Sequence, residues 1–180
     1  MTINEAFNFT LQAVEKKFEE TAKKWGFKVE RKDDGSRVCW QIVELDPYEI
    51  VSVTKFDAYI RLWSPTNQVC RIYSKYFLPE ELEHAVGLFV SRALEKAILT
   101  LAHKELRETE VDDIWRSSSA LRVYVNSEAF SLKFRLGKKF WSWKVVSDEG
   151  ATVAIIRRPL SESPIKSLLE AAKYFSLLAI

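Results

Sequence analysis

Leu121-Arg122-Val123-Tyr124-Val125-Asn126-Ser127-Glu128-Ala129-Phe130-Ser131-Leu132-Lys133-Phe134-Arg135-Leu136 decides the fold class. Apolar and polar residues alternate on both sides of Asn126-Ser127, a period of two that a strand satisfies and a helix does not. Leu121, Val123 and Val125 share one side of the first run, and Leu132, Phe134 and Leu136 share one side of the second. Arg122, Tyr124 and Asn126, then Ser131, Lys133 and Arg135, take the opposite side. Asn126-Ser127 is turn chemistry between two such runs, so Leu121–Val125 and Phe130–Leu136 are expected as paired strands.

The pattern continues toward the C-terminus. Gly137-Lys138 and Asp148-Glu149-Gly150 are turn signals bounding Phe140–Val146 and Thr152–Arg158, and Trp141, Trp143 and Val145 alternate with Ser142 and Lys144. Ser163 then caps a last helix with Pro164 in its first turn. Ile165, Leu168, Leu169, Ala172, Phe175 and Leu178 recur there at helical spacing.

The N-terminal half has a comparable order. Thr2 and Glu5 make a capping box. Phe7, Leu11, Val14, Phe18, Ala22 and Trp25 form the apolar stripe of a helix that Gly26 closes. Phe27–Lys32, Arg37–Leu45, Glu49–Thr54, Tyr59–Trp63 and Val69–Tyr73 then read as a meander of four or five strands. Asp34-Gly35 supplies a type I′ hairpin turn, Asp46-Pro47 a break, and Phe56-Asp57 and Ser64-Pro65-Thr66-Asn67 further turns. Pro79-Glu80-Glu81 opens a second helix whose stripe includes Leu82, Val86, Phe89, Leu94, Ile98 and Leu101. Residues 102–110 are more polar, and the helix extends into solvent or ends there. Val111–Ser119, with its serine run at 117–119, reads as an irregular linker.

These elements predict an α+β fold: two antiparallel β-meanders, each followed by an amphipathic helix, with an additional N-terminal helix. Helices packed on one face of pseudo-duplicated sheets complete the expectation, as a single compact domain over 1–180 with pseudo-repeats 1–110 and 111–180. Phe56–Leu62 and Ala129–Leu136 are local echoes in favour of duplication.

Composition narrows the function classes. The chain of 180 residues is 47% hydrophobic, rich enough in apolar residues to offset its ordering entropy. No apolar run reaches the roughly 18 residues of a membrane span, and Met1–Glu5 does not resemble a signal peptide; a cytoplasmic protein with no membrane partner is expected. Cys39 and Cys70, 31 residues apart, lack the close spacing of a zinc site and are expected as reduced core residues. A disulfide between neighbouring strands is the alternative. His84 and His103 fall in one helical stretch, nearly 30 Å apart at about 1.5 Å per residue, and cannot share a metal. Phosphate-binding, nucleophile-elbow and zinc-protease motifs are absent. Asp33-Asp34 and Asp112-Asp113 suit turns and caps as well as acid–base chemistry. No cofactor, metal or catalytic residue is expected.

Charge is unevenly placed. Residues 121–158 hold eight Lys and Arg against three acids, whereas residues 1–110 hold 16 against 18. Alternation puts Arg122, Tyr124, Lys133, Arg135 and Lys144 on one outward face, with Lys138 and Lys139 in a turn and Arg157 or Arg158 at the margin. Cations neutralise phosphates and exposed rings stack on bases, so this face is the expected nucleic-acid site, for single or double strands. The competing expectation is an ordinary solvated face whose long cations cover apolar surface. Trp115 and Phe175 are candidate partner-binding residues.

The layout of strand meander then helix, occurring twice, resembles that of Whirly-type and PUR-type single-strand binders, and a saddle of two such halves resembles the TATA-binding fold. The lysine-glycine-lysine signature of Whirly proteins is absent, and the resemblance concerns topology. It implies nucleic-acid binding without catalysis. The alternative expectation is a protein-binding adaptor, inhibitor or secretion-chaperone-like module, dimeric or within a larger complex, its interface sealed by the apolar segment 174–180. An enzyme using Asp112, Asp113 or Glu149 ranks below both, because nothing pairs a nucleophile with a base.

Overall fold

Two five-stranded antiparallel sheets, each with its strands in sequential order, make this an α+β chain. The computed structural model describes residues 1–45, 49–65, 68–109, 111–117 and 119–170. The chain divides into two compact units, Met1–Leu94 and Glu95–Ile180, and the join falls inside a helix.

In the first unit, helix α1 (Ile3–Glu20) starts as its sequence dictates: the Glu5 amide donates to Thr2 Oγ1 at 3.2 Å, and the Thr2 hydroxyl donates to Glu5 Oε1 at 3.1 Å. Phe7, Leu11, Val14 and Phe18 are buried along its stripe. The helix stops at Glu20, earlier than the stripe suggests. Thr21 leaves helical geometry (φ −125°, ψ −95°), and its hydroxyl donates to the Lys17 carbonyl at 2.6 Å, a bond that Thr10 also makes to Ala6 without ending the helix. A separate turn carries Ala22 and Trp25 into the core, and Gly26, at φ +89°, closes it.

The first sheet comprises β1 (Val29–Asp34), β2 (Arg37–Ile42), β3 (Glu49–Lys55), β4 (Tyr59–Ser64) and β5 (Gln68–Tyr73). Val38, Trp40, Val51, Val53, Ile60 and Leu62 are buried, and the pairing Val38↔Val53↔Leu62 places them on one side. Helix α1 lies against β3 and β4 on this side, with Phe18 stacked on Trp40 at 6.3 Å. Two expectations are corrected here. The β1–β2 turn is centred on Gly35-Ser36 rather than Asp34-Gly35, because Asp34 pairs with Arg37. Positive φ at Gly35 alone (+65°) marks it as the II′ kind. The strand from Arg37 ends at Ile42, and Val43–Leu45 coil into a 3₁₀ turn. Asp46-Pro47 and Thr66-Asn67 lie outside the described residues. Both cysteines are free thiols. Cys39 pairs with Ser52 and Cys70 with Leu62, so they face opposite sides of the sheet with β3 and β4 between them, and the disulfide alternative falls. Burial pushes the Cys70 thiol above its ordinary pKa.

Helix α2 (Pro79–Leu106) carries both histidines and ends within the polar stretch, at buried Leu106.

The second sheet comprises β6 (Asp113–Arg116), β7 (Leu121–Val125), β8 (Glu128–Leu136), β9 (Phe140–Ser147) and β10 (Thr152–Pro159), in the order β10-β9-β8-β7-β6. Strand β6 corrects the linker reading of Val111–Ser119: Ile114 pairs with Val123 and is buried, which anchors a four-residue edge strand. Leu132, Phe134 and Leu136 of β8 face Val145, Trp143 and Trp141 of β9. Phe134 sits 4.8 Å from the Trp143 ring and 6.0 Å from that of Trp141. Both indoles are fully buried and still find acceptors: Trp141 Nε1 donates to the Glu162 carbonyl at 2.7 Å, and Trp143 Nε1 to that of Pro164 at 2.9 Å. These bonds tie the sheet to the start of α3 (described over 164–170), where Ile165 and Leu168 are buried. Ala172, Phe175 and Leu178 lie outside the described residues. Buried Glu95 of α2 accepts the Leu136 amide at 3.1 Å and so satisfies the end of β8.

The β7–β8 turn is strained. Asn126 (φ +49°) and Ser127 (φ +68°) both adopt the left-handed region that a type I′ turn demands, which costs a residue with a Cβ about 1–2 kcal/mol. Ser127→Gly therefore raises stability by up to about 1 kcal/mol, read as a higher urea midpoint at unchanged slope; a lower midpoint would contradict this turn geometry.

Candidate nucleic-acid interface

Residues directly opposite each other in an antiparallel pair project to the same side, so register decides which of the expected residues meet. Arg122 lies opposite Ser131, Lys133 opposite Lys144, and Arg135 opposite Ser142. On β10, Ile155 pairs with Lys144 and Arg157 with Ser142. On β6, Trp115 pairs with Arg122 and Asp113 with Tyr124. One side of the second sheet thus carries three cross-strand rows: Trp115–Arg122–Ser131, Lys133–Lys144–Ile155 and Arg135–Ser142–Arg157. The other side carries Phe134, Trp141 and Trp143, which fill the core. Lys138 and Lys139 occupy the β8–β9 turn and are exposed. A Cβ at Gly137 would lie 3.0 Å from the Phe140 carbonyl oxygen, a tight contact that favours glycine in this connection.

Arg158 does not join this face. It pairs with Trp141 and projects to the other side, where its Nε lies 3.6 Å from Glu162. Two adjacent arginines on a strand cannot share a face, and the register selects Arg157. Arg157 stacks over the Phe140 ring at 4.5 Å. Phe175 lies outside the described residues.

The cations differ in how they are compensated. Arg122 is ion-paired with Asp148 of the β9–β10 turn and lies 5.6 Å over the Tyr124 ring. The Asp148 charge, and then Tyr124, hold its guanidinium above the ordinary arginine pKa. Lys133, Arg135 and Lys144 are exposed, and among the described residues no carboxylate lies within 4.0 Å of them. The positive field of the face is concentrated there.

Two members were hidden in the sequence. Trp115, 63% exposed, enters the face beside Arg122, with its indole donating to Asp113 at 2.9 Å; only recognition of β6 as a strand reveals that. Ile155, 64% exposed on the edge strand β10, adds an apolar member opposite Lys144. The sequence of 152–158 does not alternate, so only the pairing with Lys144 assigns Ile155 to this face.

No group of three or more potential metal ligands occurs among the described residues, and none of their helices is long and apolar enough to cross a membrane. No protein-family model, no curated protein and no solved structure matches the chain.

Like charges directly opposite across a strand pair repel, at a cost of about 0.2–1 kcal/mol. Lys133→Glu converts the Lys133–Lys144 pair into an attractive one. The variant is expected to melt above the wild type in low salt, with the gain shrinking as salt is added; a lower melting temperature at low salt contradicts the opposed placement.

Proposed function

We propose that the protein is a non-enzymatic nucleic-acid-binding module that uses the outward face of its second sheet. The observation that carries this reading is the uncompensated trio Lys133, Lys144 and Arg135, flanked by Arg157 and by the rings of Trp115 and Tyr124. Such a surface suits phosphates, because each neutralised phosphate releases condensed counterions. Lys138 and Lys139 extend it at the turn, and Arg122 contributes less while Asp148 holds it. Cytoplasmic location belongs to the same proposal.

We also read the halves as a duplication. Both sheets are five-stranded meanders in sequential order. The echo between 56–62 and 129–136 falls on the fourth strand of one sheet and the third of the other, so the support comes from strand order.

A protein-binding module, acting as a dimer or in a larger complex, is the second reading. The exposed apolar residues Trp115 and Ile155, on the two edge strands β6 and β10, favour it.

Charge reversal separates the two. Lys133→Glu/Arg135→Glu is expected to lower oligonucleotide affinity at least a hundredfold in a fluorescence titration. Asp148→Asn, which releases Arg122, is expected to raise it several-fold. Unchanged affinity in the double variant removes the first reading; a concentration-dependent dimer that binds no oligonucleotide supports the second.

A further inference from the structure

We infer that the first sheet carries its own, separate site for single-stranded nucleic acid: a pair of opposed arginines beside a run of stacked aromatic rings. It shares a ligand class with the reading above and none of its residues.

Register again brings together residues that are distant in sequence. In the β4–β5 pair, Tyr59 faces Tyr73, Arg61 faces Arg71 and Trp63 faces Val69. They project away from the Ile60–Leu62–Ile72 side, which is buried and against which α1 lies. The guanidinium of Arg61 sits 5.1 Å over the Phe56 ring. Phe56 in turn stacks on Tyr59 at 4.7 Å with 17° between planes, and Tyr59 meets Tyr73 at 5.4 Å. The result is a continuous run from Arg61 through Phe56 and Tyr59 to Tyr73. Its far end, Tyr73, is 46% exposed.

Apart from the Phe56 ring beneath Arg61, the described residues offer these two charges no partner. Arg61 and Arg71 are directly opposed cations on strands about 4.8 Å apart, an arrangement that destabilises a sheet. Among the described residues no carboxylate lies within 4.0 Å of either. Arg61 Nε is buried without a hydrogen-bond partner, and so is the hydroxyl of Thr54, directly across from Arg61 on β3. Thr54 itself is 9% exposed. Buried donors left unpaired are costly, and each such group in a folded protein calls for a reason. Arg61 Nε and the Thr54 hydroxyl are closed to solvent, so a bound anion meets exposed Arg71 and from there offsets the repulsion between the two opposed guanidinium groups. Exposed Arg71 and the Tyr73 ring lie two residues apart on the same side of β5. A phosphate on the arginines thus brings the attached base within reach of the ring. Only an unpaired base offers a free π-face for stacking, so the ligand is single-stranded rather than duplex.

The test uses the full chain and a fluorescein-labelled fifteen-residue oligothymidylate, titrated by anisotropy. Wild type and Lys133→Glu/Arg135→Glu are compared, each alone and with Arg71→Glu or Tyr73→Ala added, and each checked for a native thermal transition. The Lys133/Arg135 variant is expected to retain a weaker binding component, which Arg71→Glu lowers at least a further tenfold and Tyr73→Ala at least fivefold. Either exposed position suffices for the decision if the other variant fails to fold. Loss of binding in the Lys133/Arg135 variant alone overturns this inference and leaves the basic face of the second sheet standing. Loss in the Arg71 and Tyr73 variants alone supports this inference and removes that face. Binding of duplex without single strand overturns it, as does displacement of the oligonucleotide by an equal concentration of a fifteen-residue polyglutamate. Wild-type protein that binds neither strand form overturns both sites.

Discussion

Everything on the outward face of the second sheet depends on the buried contact between Phe134 and the two indoles of β9. Strand residues alternate strictly between faces, so shifting the register of β8 by one would send Phe134 to solvent and Lys133 into the core. Burying a large apolar side chain is worth about 1.5–3 kcal/mol, and three aromatic residues share this cluster. Opposed lysines cost about 0.2–1 kcal/mol. The core term wins, and the cations are held opposite each other as a consequence. Trp141 and Trp143 also donate hydrogen bonds to the segment entering α3, so a slip of β9 would break both.

Much of this could be read from the sequence, for physical reasons that differ by element. Strands β7 to β9 were found because period two persists along each of them, and β10 because the turn signal Asp148-Glu149-Gly150 precedes its apolar run. Strand β6 was missed because only Ile114 of its four residues is buried, too short a pattern to distinguish from a loop. The Asp34-Gly35 turn was displaced by one residue because turn propensity is local, whereas the Cys39–Lys32 and Val38–Asp33 pairs set the register from outside. Helix α1 looked longer because its apolar stripe continues through Trp25, whereas the backbone leaves helical geometry at Thr21 and a separate turn carries the rest of the stripe.

The candidate sites divide in the same way. A basic face within one hairpin is visible as alternation, so Lys133, Arg135 and Lys144 could be named. The choice between Arg157 and Arg158 could not be made, because neighbouring positions differ only in pairing. The Arg61–Arg71 pair lay further out of reach. Its members are ten residues apart on separate strands, in a half whose net charge is negative, and no composition count brings them together. Only the Tyr59–Tyr73 and Arg61–Arg71 pairings do so.

The central claim is that sheet-held cations left without carboxylate partners exist to meet phosphates. Its most direct measurement is the salt dependence of oligonucleotide affinity for the wild-type chain. Each phosphate neutralised contributes about 0.7 to 0.9 to the slope of log affinity against log salt, so engagement of the second sheet's face predicts a steep decline with a slope of roughly −2 to −4. A chain that binds no oligonucleotide at low salt, or binds one with an affinity that salt leaves unchanged, contradicts the account.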